Sequence, residues 1–395
     1  MRVPRFEPFA ALRYTVALDD VIAPPYDVVS DAEVDALEAR DEHNIVRVDI
    51  PRERDGDERY EVAAGRLRAW IDAGVMVIDE TPSLTLYRMR FTDSTGADRD
   101  IVGVMGGLEV VDEGAGGVLP HERTTPKAST DRLDLTRATR CNVSPIWGLS
   151  LADGLTELLT PTAEPMGAVT VDGVEHIVER VTDAERIIAI RDAIGSDDVL
   201  IADGHHRYGI ARTYRDEVRR STGSEETPAE LTLAFISELV ADQLSVDAIH
   251  RLYHATEFDA VRDRLAASFD LEPAGPVDAS TLARMSERGA LCLVDAAGDG
   301  VWLVPKRGAF DEIRALDGAW LEHALRDGGA EVTYQHGVDR VLDAVRSGAA
   351  SAAVLIRPVS VAEIERTARE GLLMPPKSTF FTPKLRTGLV VRPLV

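Results

Sequence analysis

At 395 residues, 45% of them hydrophobic and 28% charged, with a net charge of −24, the chain has globular rather than disordered composition and suits two or three packed units. Its acidity argues against nucleic acid and anionic membranes as partners, and no apolar run reaches the roughly 18 residues of a membrane span. With no secretory h-region at the N-terminus and only Cys141 and Cys292, a cytoplasmic protein without a disulfide framework is expected.

The opening segment reads as extended up to Ala23-Pro24-Pro25-Tyr26-Asp27, where consecutive prolines block a helix. Ser30 and Glu33 have capping-box spacing and predict a helix through Val34 and Leu37. Residues 44–50 are expected to form a strand, and a helix from about Tyr60 to Ala73 should stop at Gly74. Residues 84–91 alternate as a strand, and Asp93-Ser-Thr-Gly96 turns into a partner strand over about 99–108. After a flexible break at 113–117 come the segment Leu119-Pro-His-Glu-Arg-Thr-Thr-Pro-Lys127, a helix rich in Arg and Leu, and a strand over 144–150. Short strands and an amphipathic helix occupy 169–190, an apolar strand 199–202, a helix 208–220, a solvated loop 221–228 and a buried strand 231–240. From about 258 to 352 helices and strands alternate, with a loop at 272–276, and the tail ends in an apolar strand near 388–392. The expected class is α/β with mixed α+β character. Its expected regions are 1–110, 111–255 and 256–395, the last with a tail able to return to the site.

The central motif is Asp203-Gly204-His205-His206-Arg207, between an apolar strand and a helix. Gly204 permits a tight turn and close backbone approach, and free N–H groups at a helix start attract anions. Arg207 can grip phosphate oxygens in bidentate fashion, His205 and His206 can donate to the same anion, and Asp203 can hold Mg²⁺ or orient a histidine. The bland alternative makes Asp203 a helix cap and the histidines fillers. Zinc is disfavoured because no cysteine or third histidine stands at zinc-site spacing.

Four further segments carry candidates. In Pro120-His121-Glu122-Arg123-Thr124, Glu122 is either a general base on a hydroxyl or a solvated carboxylate, with His121 and Thr124 as substrate contacts. His250-Arg251 either adds positive charge to a phosphate site or serves ordinary ion pairing. The segment from Met374 to Lys384, with Lys377, is an anion-binding loop or a docked arm. Asp27 either reaches the site or belongs to a turn before the capped helix.

Ala23-Pro-Pro-Tyr-Asp-Val-Val, Asn44-Ile-Val-Arg, His121-Glu-Arg-Thr, Ala202-Asp-Gly-His-His-Arg-Tyr and Met374-Pro-Pro-Lys-Ser-Thr-Phe-Phe together resemble, in order, the family called domain of unknown function 1015. Leu119-Pro-His-Glu, Ser144-Pro-Ile-Trp and Val199-Leu-Ile-Ala-Asp-Gly-His-His-Arg also resemble the core of ParB-like and sulfiredoxin-like proteins, most of all the free serine kinases among them. That resemblance implies a ParB/sulfiredoxin-like core with N- and C-terminal α/β elaborations. It further implies Glu122 as catalytic base and residues 203–207 cradling ATP or ADP phosphates, and Asp203 and His206 join Glu122 as catalytic candidates. The spacing between the 144–150 strand and Asp203 is longer here.

The resulting expectation is a kinase with Mg²⁺ and ATP or ADP, transferring a phosphoryl group to a small hydroxyl compound, free L-serine first. Gly204, His205, Arg207, His250, Arg251 and Lys377 would meet phosphate, and His121, Thr124 and Asp27 the acceptor. The alternatives are a non-catalytic nucleotide-binding ParB-like regulator and a phosphohydrolase or nuclease. The acidic balance and the lack of a basic stripe disfavour DNA.

Overall fold

The computed structural model describes residues 2–120, 129–326 and 329–395. The fold is mixed α/β and divides into two compact units. The first comprises Met1–Ser245 with Ala368–Gly371 and Pro383–Val395; the second comprises Val246–Thr367 with Leu372–Thr382. Among the described residues, no helix is long and apolar enough to cross a membrane.

The first unit is built on a mixed sheet with nine described strands. Its order runs Val118–Pro120, Val199–Asp203, Ile146–Ser150, Leu231–Glu238, Asp98–Glu109, Leu84–Thr92, Val174–Val181 and Glu164–Val171, and Phe6–Glu7 pairs with Asp98–Glu109. Alternation decides what each face buries. Leu84, Leu86, Ile146 and Ile236 turn toward a cluster closed by Ile187, Ile190 and Ile194 of the helix Ala184–Ile194. That helix is capped by Asp183, whose side chain accepts the Arg186 N–H at 2.7 Å.

The capping box at Ser30 and Glu33 is present at the helix Asp31–Arg40, and the helix Arg59–Asp72 ends just before Gly74. Residues 44–50 depart from the expected strand: Val46–Asp49 is a short helix. The cause is Asn44, fully buried, whose side-chain amide donates to Asp20 O at 2.7 Å while its Oδ1 accepts from Val46 N at 3.0 Å. That clamp starts a helical turn where the apolar residues alone favour a strand. The expected final strand near 388–392 is also reduced. Val391 makes an isolated bridge to Leu12, and Arg392–Pro393 forms a two-residue strand against Cys141–Asn142.

The second unit carries an antiparallel sheet in the order Phe269–Pro276, Asp299–Pro305, Leu291–Val294, Ala352–Leu355, Ile249–His254 and Glu331–His336. Cys292 and Val294 face one core with Met285, Val341 and Val345, while Leu291 and Leu293 face another with Val261, Leu265 and Leu321. The expected loop at 272–276 is instead part of the edge strand Phe269–Pro276, with a register shift between Pro273 and Gly275. An edge strand tolerates proline because one side of it has no ladder to donate to.

Candidate active site

The motif strand Val199–Asp203 pairs in parallel with Val118–Pro120 and antiparallel with Ile146–Ser150. Val199, Leu200 and Ile201 are buried, which accounts for the unbroken apolar run. The register passes from Ile201↔Gly148 to Asp203↔Trp147, an irregularity that resets the direction of Asp203 at the strand end.

Gly204 follows with φ 88° and ψ 27°, a left-handed conformation, and the helix His205–Thr222 begins at once. A Cβ at Gly204 would also stand 3.1 Å from both Arg207 Nε and Ile146 Cγ2, so conformation and space both require glycine. The helix starts three residues earlier than the sequence pattern indicates, which puts His205 and His206 in its first turn. That turn contains no acidic residue and has no side-chain cap. Asp203 therefore does not act as the helix cap; its carboxylate is engaged elsewhere.

Asp203 Oδ2 accepts from Arg207 Nη2 at 2.5 Å, and Oδ1 accepts from Lys384 Nζ at 2.6 Å. Burial on its own would raise this carboxyl, but Lys384, Arg207 and His205 together hold it well below the usual carboxylate range. Arg207 also donates through Nη1 to Pro145 O and lies 3.8 Å from the half-exposed Asp27. One ionised carboxylate is thus shared by two cations at the head of a helix.

Arg207 also lines a cleft of ≈ 490 Å³, counting its open mouth. Tyr26, Asp49, Arg132 and Ser144 form its polar side, and Leu135, Ile210 and Ala211 its apolar side. Asp49 is buried and accepts from Ser144 Oγ at 3.2 Å and Arg132 Nη1 at 3.3 Å. Burial raises the Asp49 carboxyl, against the opposing pull of Arg132, Arg207 and the Ser144 hydrogen bond. The Arg132 guanidinium lies over the Tyr26 ring at 4.4 Å. Burial pushes the Tyr26 hydroxyl up to about 12, so it is neutral near pH 7.

Asp203, Gly204, His205, His206, Arg207 and Asp27 of the sequence reading are gathered in the first unit. His250, Arg251 and Lys377 belong to the second unit, where Arg251 Nη1 donates to Lys377 O at 3.0 Å. His250 accepts from Ile356 N at 3.2 Å, and burial pushes its imidazole down to about 3, so it is neutral near pH 7. His121, Glu122 and Thr124 lie outside the described residues. Pro120, the last described residue before them, pairs with Ile201, two positions short of Asp203.

Lys384, Asp49, Arg132, Ser144 and Tyr26 escape sequence reasoning as site residues. For Lys384 the signal existed in its proline-flanked tail, but nothing local distinguishes it from Lys377. Asp49 carried none, being one acid among 68.

As a magnesium ligand Asp203 does not fit, because each of its oxygens already holds a cation. Among the described residues, no three His, Cys, Asp or Glu side chains gather into a group that could hold a metal ion.

No curated protein matches the chain. Solved structures give distant likenesses. A free serine kinase in complex with AMP is 14% identical with a TM-score of 0.37, over 69% of this chain and 88% of that one. A conserved hypothetical protein from Pyrococcus furiosus is 13% identical with a TM-score of 0.37, over 69% and 92%. SbnI with a C-terminal truncation, from Staphylococcus aureus, is 12% identical with a TM-score of 0.38, over 73% and 87%. Likeness at that level fixes neither activity nor ligand. The family model described as protein of unknown function (DUF1015) matches residues 6–319, most of the length, and the chain belongs to that family.

Proposed function

We propose that the chain is a phosphotransferase that moves a phosphoryl group from ATP or ADP to the hydroxyl of a small molecule, free L-serine being the first acceptor to test. The observation that carries this reading is the glycine-hinged helix start at which Arg207 and Lys384 share the single carboxylate of Asp203. The positive end of the helix dipole at this first turn, which carries no acidic residue, favours an anion such as a polyphosphate. Arg207 and Lys384 then stabilise charge on the transferred group, and His205 and His206 stand in the same turn to donate to its oxygens. Glu122, which lies outside the described residues, is assigned as the base that activates the acceptor hydroxyl on the motif resemblance. Lys384 takes the phosphate-binding part that the sequence alone gave to Lys377.

Incubation with ATP or ADP, magnesium and L-serine should yield phosphoserine. Glu122→Gln should remove most turnover and leave nucleotide affinity nearly intact; full turnover in that variant rejects the assignment of the base. Release of free phosphate without an acceptor would indicate a phosphohydrolase instead, and nucleotide binding without turnover a regulatory module.

A further inference from the structure

We propose that Asp49 forms an ammonium-binding subsite, so that the acceptor is a small hydroxyl compound carrying a positively charged amine. This rests on the phosphotransfer reading for the word acceptor, but the binding it describes is measurable without turnover.

Asp49 lines an open cleft yet is only 3% exposed. A carboxylate so placed loses most of its hydration and needs compensating positive charge. Its closest cation, Arg132, is divided: Nε and Nη2 donate to Asp131 Oδ2 at 3.0 and 2.8 Å, and Nη1 reaches Asp49 Oδ1 at 3.3 Å. Arg207, the other cation facing Asp49, is already bonded to Asp203 at 2.5 Å and flanked by Asp27 at 3.8 Å. Ser144 Oγ lies 3.2 Å from both Asp49 oxygens, but it has one proton and so donates to only one of them at a time. The raised carboxyl of Asp49 agrees with this incomplete compensation.

A ligand ammonium entering the cleft would supply the missing positive charge and three N–H donors. The apolar wall of Leu135, Ile210 and Ala211 limits the rest of the ligand to a short carbon skeleton. Arg207, which belongs to both cleft and motif, would place the ligand's hydroxyl near the phosphate site. The geometry therefore favours amine-bearing acceptors over neutral polyols and over hydroxy acids that lack an amine.

Calorimetric titration with L-serine, ethanolamine and 3-hydroxypropionate tests this in the full chain. The expected result is binding of the first two and at least about tenfold weaker binding of 3-hydroxypropionate, since a charge-assisted contact is lost. Asp49→Asn should weaken L-serine and ethanolamine by about tenfold or more and leave ATP or ADP affinity unchanged. Unchanged nucleotide affinity also shows that the variant folds, and the wild-type ligand series decides the matter if it does not. Equal affinity for 3-hydroxypropionate, no binding of either amine, or undiminished amine affinity in folded Asp49→Asn overturns the proposal. Amine binding without phosphoryl transfer upholds the subsite and defeats the phosphotransfer reading alone.

Discussion

Lys384 Nζ stands 2.6 Å from Asp203 Oδ1, closing an ion pair between residues 181 apart in sequence. Asp203 holds Arg207 on its other oxygen, so this carboxylate is the hinge between the motif helix and the C-terminal segment of the first unit. Because its pKa is depressed, the pair adds stability that is fully present above the ordinary carboxylate range and is lost progressively as pH falls from that range through the lowered value.

Lys384→Met should therefore do two things. It leaves Asp203 with one cation instead of two, costing roughly 1–2 kcal/mol for a pair that is partly solvated. It also removes one positive charge from the proposed phosphate site and should weaken ATP or ADP by about tenfold, the scale of one charge-assisted contact. Chemical denaturation and nucleotide titration read the two effects separately. Nucleotide affinity equal to wild type would remove Lys384 from the site.

Gly204→Ala tests the turn itself. A left-handed conformation costs a non-glycine residue about 1–2 kcal/mol, and the new Cβ would crowd Arg207 Nε and Ile146 Cγ2 at 3.1 Å. The denaturation midpoint should fall accordingly, with nucleotide affinity falling alongside because Arg207 is displaced. A variant of wild-type stability would contradict the described backbone.

Acid should unfold the first unit partly through His176. This imidazole is fully buried, 2.7 Å through Nδ1 from the Tyr87 hydroxyl, and accepts from Arg386 Nε at 3.4 Å. Burial, then the Arg386 charge, push it down to about 4 from 6.5. In the window between those values the unfolded chain binds a proton that the folded chain refuses. Stability is thus whole above about 6.5 and declines as pH falls toward about 4, by roughly 3 kcal/mol from this group at about 1.4 kcal/mol per unit. His176→Gln should flatten that limb in denaturation measured from pH 7 to 4. Part of the limb should persist, because His250 in the second unit is depressed in the same direction. An unchanged limb would show that His176 does not titrate as described.

Asn44 marks where local reading stops. The Ser30–Glu33 box is legible because its partners lie three residues apart. Asn44 instead reaches Asp20 O and Ile22 O, contacts set by tertiary packing, and so residues 44–50 read as a strand although Val46–Asp49 is a helix. Asn44→Ala should cost roughly 2–3 kcal/mol, since it strands buried backbone groups, and denaturant midpoints would show it. The same division runs through the site. The strand–Gly204–helix joint was readable from apolar run, glycine and basic residues in series. The choice of Lys384 over Lys377, and the presence of Asp49 and Arg132 beside Arg207, depend on long-range approach that no local pattern encodes.

The proposed nucleotide site is tested by the affinity of ATP and ADP for the wild-type chain and for Arg207→Ala, by calorimetry at fixed ionic strength. Saturable binding to the wild type is expected, with a loss of at least about tenfold in the variant. A folded Arg207→Ala protein that binds nucleotide as well as the wild type, or a wild type that binds none, would contradict it.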